Sequence, residues 1–371
     1  MWNKFKTLDP LLFIVPLLLL PVSVIVIYTL TINSQGSSLY IHQAMYAAAG
    51  VVLMAVATFI DYRSLKSWAS WLYVLGLLGL IAVKLVGKSD FGAQRWISIG
   101  FFQLQPAEGE KIIMIIVLAA LLAKGIHAIS FSRFATLILL LLVPVLAIVL
   151  QPDLGTAIVI SAIGIGMVFQ ARITRIERWV LIGGIALLVG VFALSFHGTH
   201  PFSSLLKGYQ KDRLASFIDP SRDQSESGYN VLQSVIAVGS GGITGQGLGA
   251  GTQSQLNFLP VAYSDFIFAG ISEAWGLIGS WGIIALYGIL LWRVLQAARI
   301  AKDEFGMLLC IGVMLKIGVE VLVNVGMNIR LMPVTGIPLP FLSYGGTTLL
   351  VNAIAIGLVQ SVVIRYKRLT F

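Results

Sequence analysis

The chain has 371 residues, 57% of them hydrophobic and only 11% charged, with a formal net charge of +9. Soluble proteins carry about 25% charged residues, and this chain has too few to cover a soluble surface. A soluble enzyme, a disordered chain and, with Cys310 the only cysteine, a disulfide-stapled scaffold are excluded.

A helix needs about 20 apolar residues to cross a bilayer. Ten such segments are predicted, at roughly 11–31, 42–60, 69–86, 106–123, 134–150, 155–170, 178–196, 265–292, 306–326 and 344–364. The expected fold is therefore all-α: one polytopic membrane domain spanning 1–371, with ten transmembrane helices. The segment at 265–292 is long enough to tilt or break. A large polar, glycine-rich outer loop, about 197–264, separates the seventh and eighth helices, and its stretch 228–238 (GYNVLQSVIAV) reads as amphipathic. The first segment lacks a small-residue cleavage site, so it reads as a retained span.

Orientation follows from the positive-inside rule. With the N-terminus inside, most basic residues fall on the cytoplasmic side, including Lys4, Arg63, Arg175, Arg293, Arg299 and Arg365. Both termini are expected in the cytoplasm. The positive charge is thus a membrane signature, and no nucleic-acid partner is expected.

Ionisable residues within spans are costly, about 2.5–3.5 kcal/mol or more each, and are read first as functional. Glu108 and Lys111 are three apart, on one helix face, and predict an ion pair behind Gln105–Pro106. Read as self-contained, that pair should tolerate exchange of its two charges. Glu110 lies on another face, snorkelling outward or facing a neighbour. Asp153, in QPDLGT, reads as a helix N-cap and as a polar group at a cavity. Asp265 opens the eighth span, as a plain cap or as a general base whose pKa is raised by an apolar entrance. Lys316 and Glu320, four apart, predict a second, separate pair.

Weaker signals are set aside. GxGxxA at 245–250 follows no strand, so a turning loop against a ligand is the better reading. His197 and His200 have no third partner, so no metal site is expected.

An ordered set of strings then becomes specific: GAQRWISIG (92–100), QPAEGEK (105–111), QPDLGTA (151–157), GTQSQLNFLP (251–260), SDFIFA (264–269), NVGM (324–327) and LMPVTGIPLPFLSYGG (331–346). Together they resemble the SEDS family (shape, elongation, division and sporulation proteins), most nearly its RodA-type members, with FtsW-type members as near relatives. The resemblance implies a peptidoglycan glycosyltransferase that polymerises lipid II at the outer face of the cytoplasmic membrane, in elongation and cell shape. It implies a class B penicillin-binding protein as partner. The resemblance places catalytic residues at Asp265, Glu108 and Lys111. It places substrate-binding residues at Arg95 and Asp153. Lys207, Lys211 and Arg213 of the large loop are candidate phosphate ligands, and Gln253 and Ser343 are further substrate-binding candidates. A divalent cation, Mg or Mn, would share the phosphate work, and the polyprenyl tails would lie against membrane lipid. The loop GGITGQGLGAG is expected to line the sugar path with backbone N–H groups. Ala107, Gly109, Glu110, Val261, Tyr263 and Arg330 depart from the family pattern. The alternatives are a lipid II flippase, a division-type polymerase or a non-catalytic scaffold.

Overall fold

The computed structural model describes residues 8–32, 38–90, 93–100, 102–123, 131–170, 175–184, 217, 226–256, 258–259 and 261–366. Its helices are α1 (Pro10–Thr31), α2 (Leu39–Phe59), α3 (Tyr62–Val86), α4 (Pro106–Leu122), α5 (Phe131–Leu150) and α6 (Leu154–Gln170). They continue as α7 (175–184), α8 (Glu226–Ser240), α9 (Thr252–Gln255), α10 (Ile267–Ile300), α11 (Glu304–Asn328) and α12 (Gly346–Ile364). Among the described residues, seven helices are long and apolar enough to cross a membrane, and α6 is a shorter apolar helix. The expected span 178–196 is described only as far as 184, and the expected outer loop only at 217 and from 226 onward. Its amphipathic stretch does form a helix, α8.

The expectation of an all-α chain needs one correction. Residues 88–104 form a three-stranded antiparallel sheet, β1 (Lys88–Asp90), β2 (Ala93–Ile99) and β3 (Phe102–Leu104), in the order β1-β2-β3. The strands are three, seven and three residues long, and the segment is too short to cross a bilayer.

The helix ends divide into two sets at opposite ends of the bundle. At one end Asp9 caps α1 by accepting from the Leu11 amide, and it also pairs with Arg293 near the end of α10. Asp303 caps α11 through Gly306 and takes hydrogen bonds from Tyr62 (2.6 Å) and Arg63 (3.2 Å). Burial alone would raise the Asp303 carboxyl, but these donors outweigh it and hold the pKa below the usual carboxylate range. Arg365 at the end of α12 donates to the carbonyls of Thr58 and Phe59. The other end carries the sheet, the corner at 151–153 and the segment 331–345.

α11 and α12 form the centre. α12 packs along α2, while α11 packs on α4, α6 and α10. Lipid offers no hydrophobic drive for helices to associate, so close backbone approach matters more. Gly312 admits the Ile115 side chain of α4, and Gly357 admits the Met54 carbonyl of α2. Outward faces of α2 and α3 leave Val52, Trp68, Trp71, Leu75 and Leu85 exposed, as lipid-facing surfaces do.

α10 is broken. Gly276 has φ 62° and ψ −158°, which divides the helix into 267–275 and 277–300. In an unbroken helix the amides of residues 277 and 278 would bond the carbonyls of residues 273 and 274. The loop at 241–247 inserts here and satisfies all four groups. Gln246 and Gly247 donate to the Glu273 and Ala274 carbonyls at 2.9 and 3.0 Å. Leu277 and Ile278 donate to the Gly242 and Ile243 carbonyls at 2.9 and 3.2 Å. Only glycine fits at the closest approaches, because a Cβ on Gly245 would strike the Ala274 carbonyl and one on Gly241 the Ser272 carbonyl.

Candidate functional site

The site is built where three non-helical pieces meet α10 and α11. Asp265 lies just before α10 and is partly buried, and its side chain accepts from the Ser264 hydroxyl at 3.0 Å. It is not the helix cap: the N-cap position belongs to Phe266, and no side chain caps that end. The main chain at Asp265 is held from α11. Asn324 and Asn328 both donate to the Asp265 carbonyl, at 2.9 and 3.2 Å. Asn328 also accepts from the Ala269 amide and from Ser234 of α8. Asn324 and Asn328 were not singled out as site residues from the sequence. The available signal was their spacing, four and eight residues after Glu320 on one face of an apolar span.

The segment 331–345 closes the other side. Its extended backbone lies in the interior, where unpaired carbonyls are costly. Side chains satisfy it: Asn324 bonds the Ile337 carbonyl at 2.8 Å, Ser23 the Leu342 carbonyl at 2.6 Å, and Tyr287 the Pro340 carbonyl. Gly336 has φ 73°, and a Cβ there would lie 3.4 Å from Asp265 Oδ2, so this turn passes directly over the carboxylate. Ser343 donates to the Ser264 carbonyl at 2.7 Å and accepts from the Leu339 amide at 2.8 Å. Its hydroxyl is thus engaged in fixing the Asp265 loop. Burial, and then the Asp265 charge, push the Tyr263 hydroxyl above the ordinary phenol pKa, so it stays protonated at neutral pH.

The QPDLGT corner abuts the same segment. A Cβ on Gly155 would lie 2.7 Å from the Thr335 carbonyl, next to Gly336. Asp153 does cap α6, accepting from the Thr156 amide at 3.1 Å and its hydroxyl at 3.0 Å. It also accepts from Gln105 at 3.1 Å, which ties the corner to the start of α4. Arg95 on β2 donates to the Pro152 carbonyl, and its Nε is buried without a hydrogen-bond partner among the described residues.

One turn into α4 the two expected ion pairs prove to be a single network. Lys111 lies 2.6 Å from Glu108 and 2.7 Å from Glu320, and Glu320 lies 2.8 Å from Lys316. Lys316 also donates to Asn352 of α12 at 2.6 Å. All four charges are essentially inaccessible. Two carboxylates and two ammonium groups cancel, which is the condition under which such a cluster survives burial. Lys111, which the resemblance places among the catalytic residues, has its ammonium enclosed between the Glu108 and Glu320 carboxylates. Glu108, placed in the first turn of α4, sits where the helix dipole favours negative charge. Residues 316, 320, 324 and 328 continue down one side of α11, so the network and the Asp265 clamp share one helix face.

Other expectations separate from this centre. Glu110 does not snorkel: it is fully buried, its carboxylate fills a notch at Gly76 of α3, and neither oxygen has a hydrogen-bond partner among the described residues. The loop GGITGQGLGAG does not offer its amides at 246 and 247 to a sugar, since both are spent on the break in α10. Gln253 lies in the short helix α9, and its main-chain amide donates to Glu273 at 2.8 Å. Arg330 is exposed at the end of α11 with φ 58°. Lys207, Lys211, Arg213, His197 and His200 lie outside the described residues. No group of three or more His, Cys, Asp or Glu side chains suited to a metal occurs among the described residues.

With this geometry in place, relatives can be compared. A profile of the FtsW/RodA/SpoVE cell cycle protein family matches residues 5–368. The chain belongs to that family. It is similar to peptidoglycan glycosyltransferase MrdB of Escherichia coli strain K12, with 36% identity over 369 residues, covering 100% of this chain and 96% of the relative. It is also 36% identical over 380 residues to stage V sporulation protein E of Bacillus subtilis strain 168, covering 99% and 100%. The crystal structure of Thermus thermophilus rod shape-determining protein RodA superposes with a TM-score of 0.70, 26% identity and 96% of each chain. A chain from a peptidoglycan synthase complex, solved to explain coordination of polymerization and crosslinking, superposes with a TM-score of 0.79 at 29% identity, covering 97% and 98%. The fold and full-length identity thus agree with the family resemblance carried by the motifs.

Proposed function

We propose that this protein is a peptidoglycan glycosyltransferase that polymerises lipid II into glycan strands during cell elongation. In this reading it has ten spans with both termini cytoplasmic, and the end of the bundle carrying Asp265 faces outward. Its partner is a class B penicillin-binding protein that crosslinks the strands. The observation that carries the reading is the Asp265 carboxylate. It is partly exposed at a helix mouth while its main chain is clamped by Asn324 and Asn328.

The chemistry requires one base and one anion-binding group. Asp265 takes the proton from the C4 hydroxyl of the acceptor sugar as that oxygen attacks the donor's anomeric carbon. The bond from that carbon to the diphosphate breaks, and the diphosphate leaves with the electron pair. An α-linked donor becomes a β-linked product in one inverting displacement. General-base assistance of this kind contributes about 10²–10⁴-fold. Arg95 is the described cation best placed to face the diphosphate, with Lys207, Lys211 and Arg213 as further candidates. Glu108 and Lys111 act from within, fixing α4 against α11. Among the described residues the donor set does not form a resident metal site, so no step is assigned to one. A Mg or Mn ion arriving on the diphosphate belongs to the substrate.

One observation favours transport: α10 is broken and a polar stripe runs down α11, features that flipping a lipid also requires. Here the break is filled by the chain's own loop and the stripe is sealed and internally satisfied. Purified protein with its partner, given lipid II, should yield glycan strands on a gel. Asp265→Asn should fold normally and lose at least about 10²-fold in rate. Retained polymerisation in that variant would refute the base assignment, and flipping without polymerisation would establish the transporter.

A further inference from the structure

Glu273 is a buried acid that the mechanism does not use. This residue is 1% exposed and faces no cation among the described residues, yet both carboxylate oxygens are satisfied. Oε1 accepts from the Gln253 amide at 2.8 Å and Oε2 from the Ser254 amide at 3.1 Å. Its main-chain carbonyl accepts from Gln246 at 2.9 Å. One residue of α10 therefore grips both ends of the inserted segment. Gly251 is required beside it, since a Cβ there would lie 2.5 Å from the carboxylate.

We propose that residues 241–255 are a fixed insert that sets the position of Asp265 through the first half of α10, with Glu273 as the positioning residue. The proposal rests on the glycosyltransferase reading, which gives Asp265 its role. The first half of α10, residues 267–275, is about 13 Å long. Asp265 precedes one end of it, and the break at Gly276 is at the other. Gly276, at φ 62°, is a pivot between the two halves of α10, where the Ser272 and Ser280 hydroxyls also meet across the break at 2.8 Å. Without the insert, a tilt of about 5° at that pivot would move the far end by about 1 Å. A misplacement of that size can cost about 10²-fold in rate. The insert removes this freedom by replacing the two lost helical bonds with four, and Glu273 adds two more. Its carboxylate is buried against the amides of Gln253 and Ser254, out of reach of substrate, so its effect passes through Asp265.

The test uses full-length protein with its partner and lipid II. Glu273→Ala should lower kcat by about 10²-fold while the apparent KM for lipid II changes by less than about twofold. Glu273→Gln, which keeps one strong acceptor, should recover an intermediate rate. Hydrogen exchange should quicken at 242–254 and at the first turns of α10 in the Ala variant, and less in the Gln variant. If the Ala variant fails to fold, the Gln variant carries both measurements. A second arm joins Ile243→Cys to Ile278→Cys in a Cys310→Ser background, using a short reducible thiol crosslinker. Both isoleucines are well exposed, 69% and 65%, and adjacent across the break. A fixed insert predicts that the crosslinked protein stays active. Activity lost on crosslinking and restored by reductant would overturn the proposal and make the insert a gate. So would faster exchange in Glu273→Ala with kcat unchanged, or a rise in KM alone. Inactive wild-type protein would instead sink the glycosyltransferase reading, and the exchange data would still report on the insert.

Discussion

Two polar regions share one face of α11 and hold a charged residue by different means. Around Lys316 and Glu320 every charge is buried and answered by another charge. Around Asp265 the side chains of Asn324 and Asn328 bind the backbone instead, and the carboxylate remains partly exposed. The contrast separates architecture from chemistry. A charge that holds helices together is stable only when fully paired, because an unpaired buried ion costs several kcal/mol. A charge that reacts must be reachable, and here its main chain is fixed by the Asn324 and Asn328 side-chain amides.

The sharpest way to break this contrast is to exchange Glu108 and Lys111. A self-contained pair would tolerate the exchange. The network forbids it, because Glu108→Lys with Lys111→Glu would set a carboxylate against Glu320. The double variant should be destabilised by about 3–5 kcal/mol, read as a drop in thermal midpoint in detergent. Recovery of wild-type stability would show that Glu320 is not a partner. A smaller effect is expected at the clamp. Asn328→Ala removes a donor to the Asp265 carbonyl and an acceptor shared by the Ala269 amide and the Ser234 hydroxyl, and should cost about 1–3 kcal/mol. It should lower kcat more than it raises KM, since it loosens Asp265 and touches no substrate. An unchanged kcat would place the clamp outside catalysis. The smallest effect should come from Gly109→Ala. Among the described residues nothing beyond the local helix backbone lies within 4 Å of a Cβ built there, so the variant should gain up to about 1 kcal/mol and keep its activity. A loss of activity would reveal that something approaches this part of α4 during turnover.

Much of the architecture was legible in the chain. Runs of about twenty apolar residues announce spans whatever they pack against, because a bilayer imposes that length on any helix. The short spacings were legible too: Glu108 with Lys111 and Lys316 with Glu320 do pair, and Asp153 does cap its helix. What failed was each inference that needed a distant partner. Glu320 joins Lys111 across helices, which no local spacing reveals. The glycines at 241–247 looked like a ligand-binding loop, and they complete a helix that begins more than twenty residues later. The sheet at 88–104 was missed because three short strands carry little periodicity.

The sequence by itself determined that the chain lives in a membrane, where its helices run and which carboxylates are costly enough to matter. Composition and helical periodicity are local properties, and the bilayer reads them locally. Only the tertiary structure decided which of those carboxylates are enclosed and which one stays partly exposed. That outcome depends on the cation or amide another helix brings to within about 3 Å, and hydrogen-bond geometry at that range is set by packing.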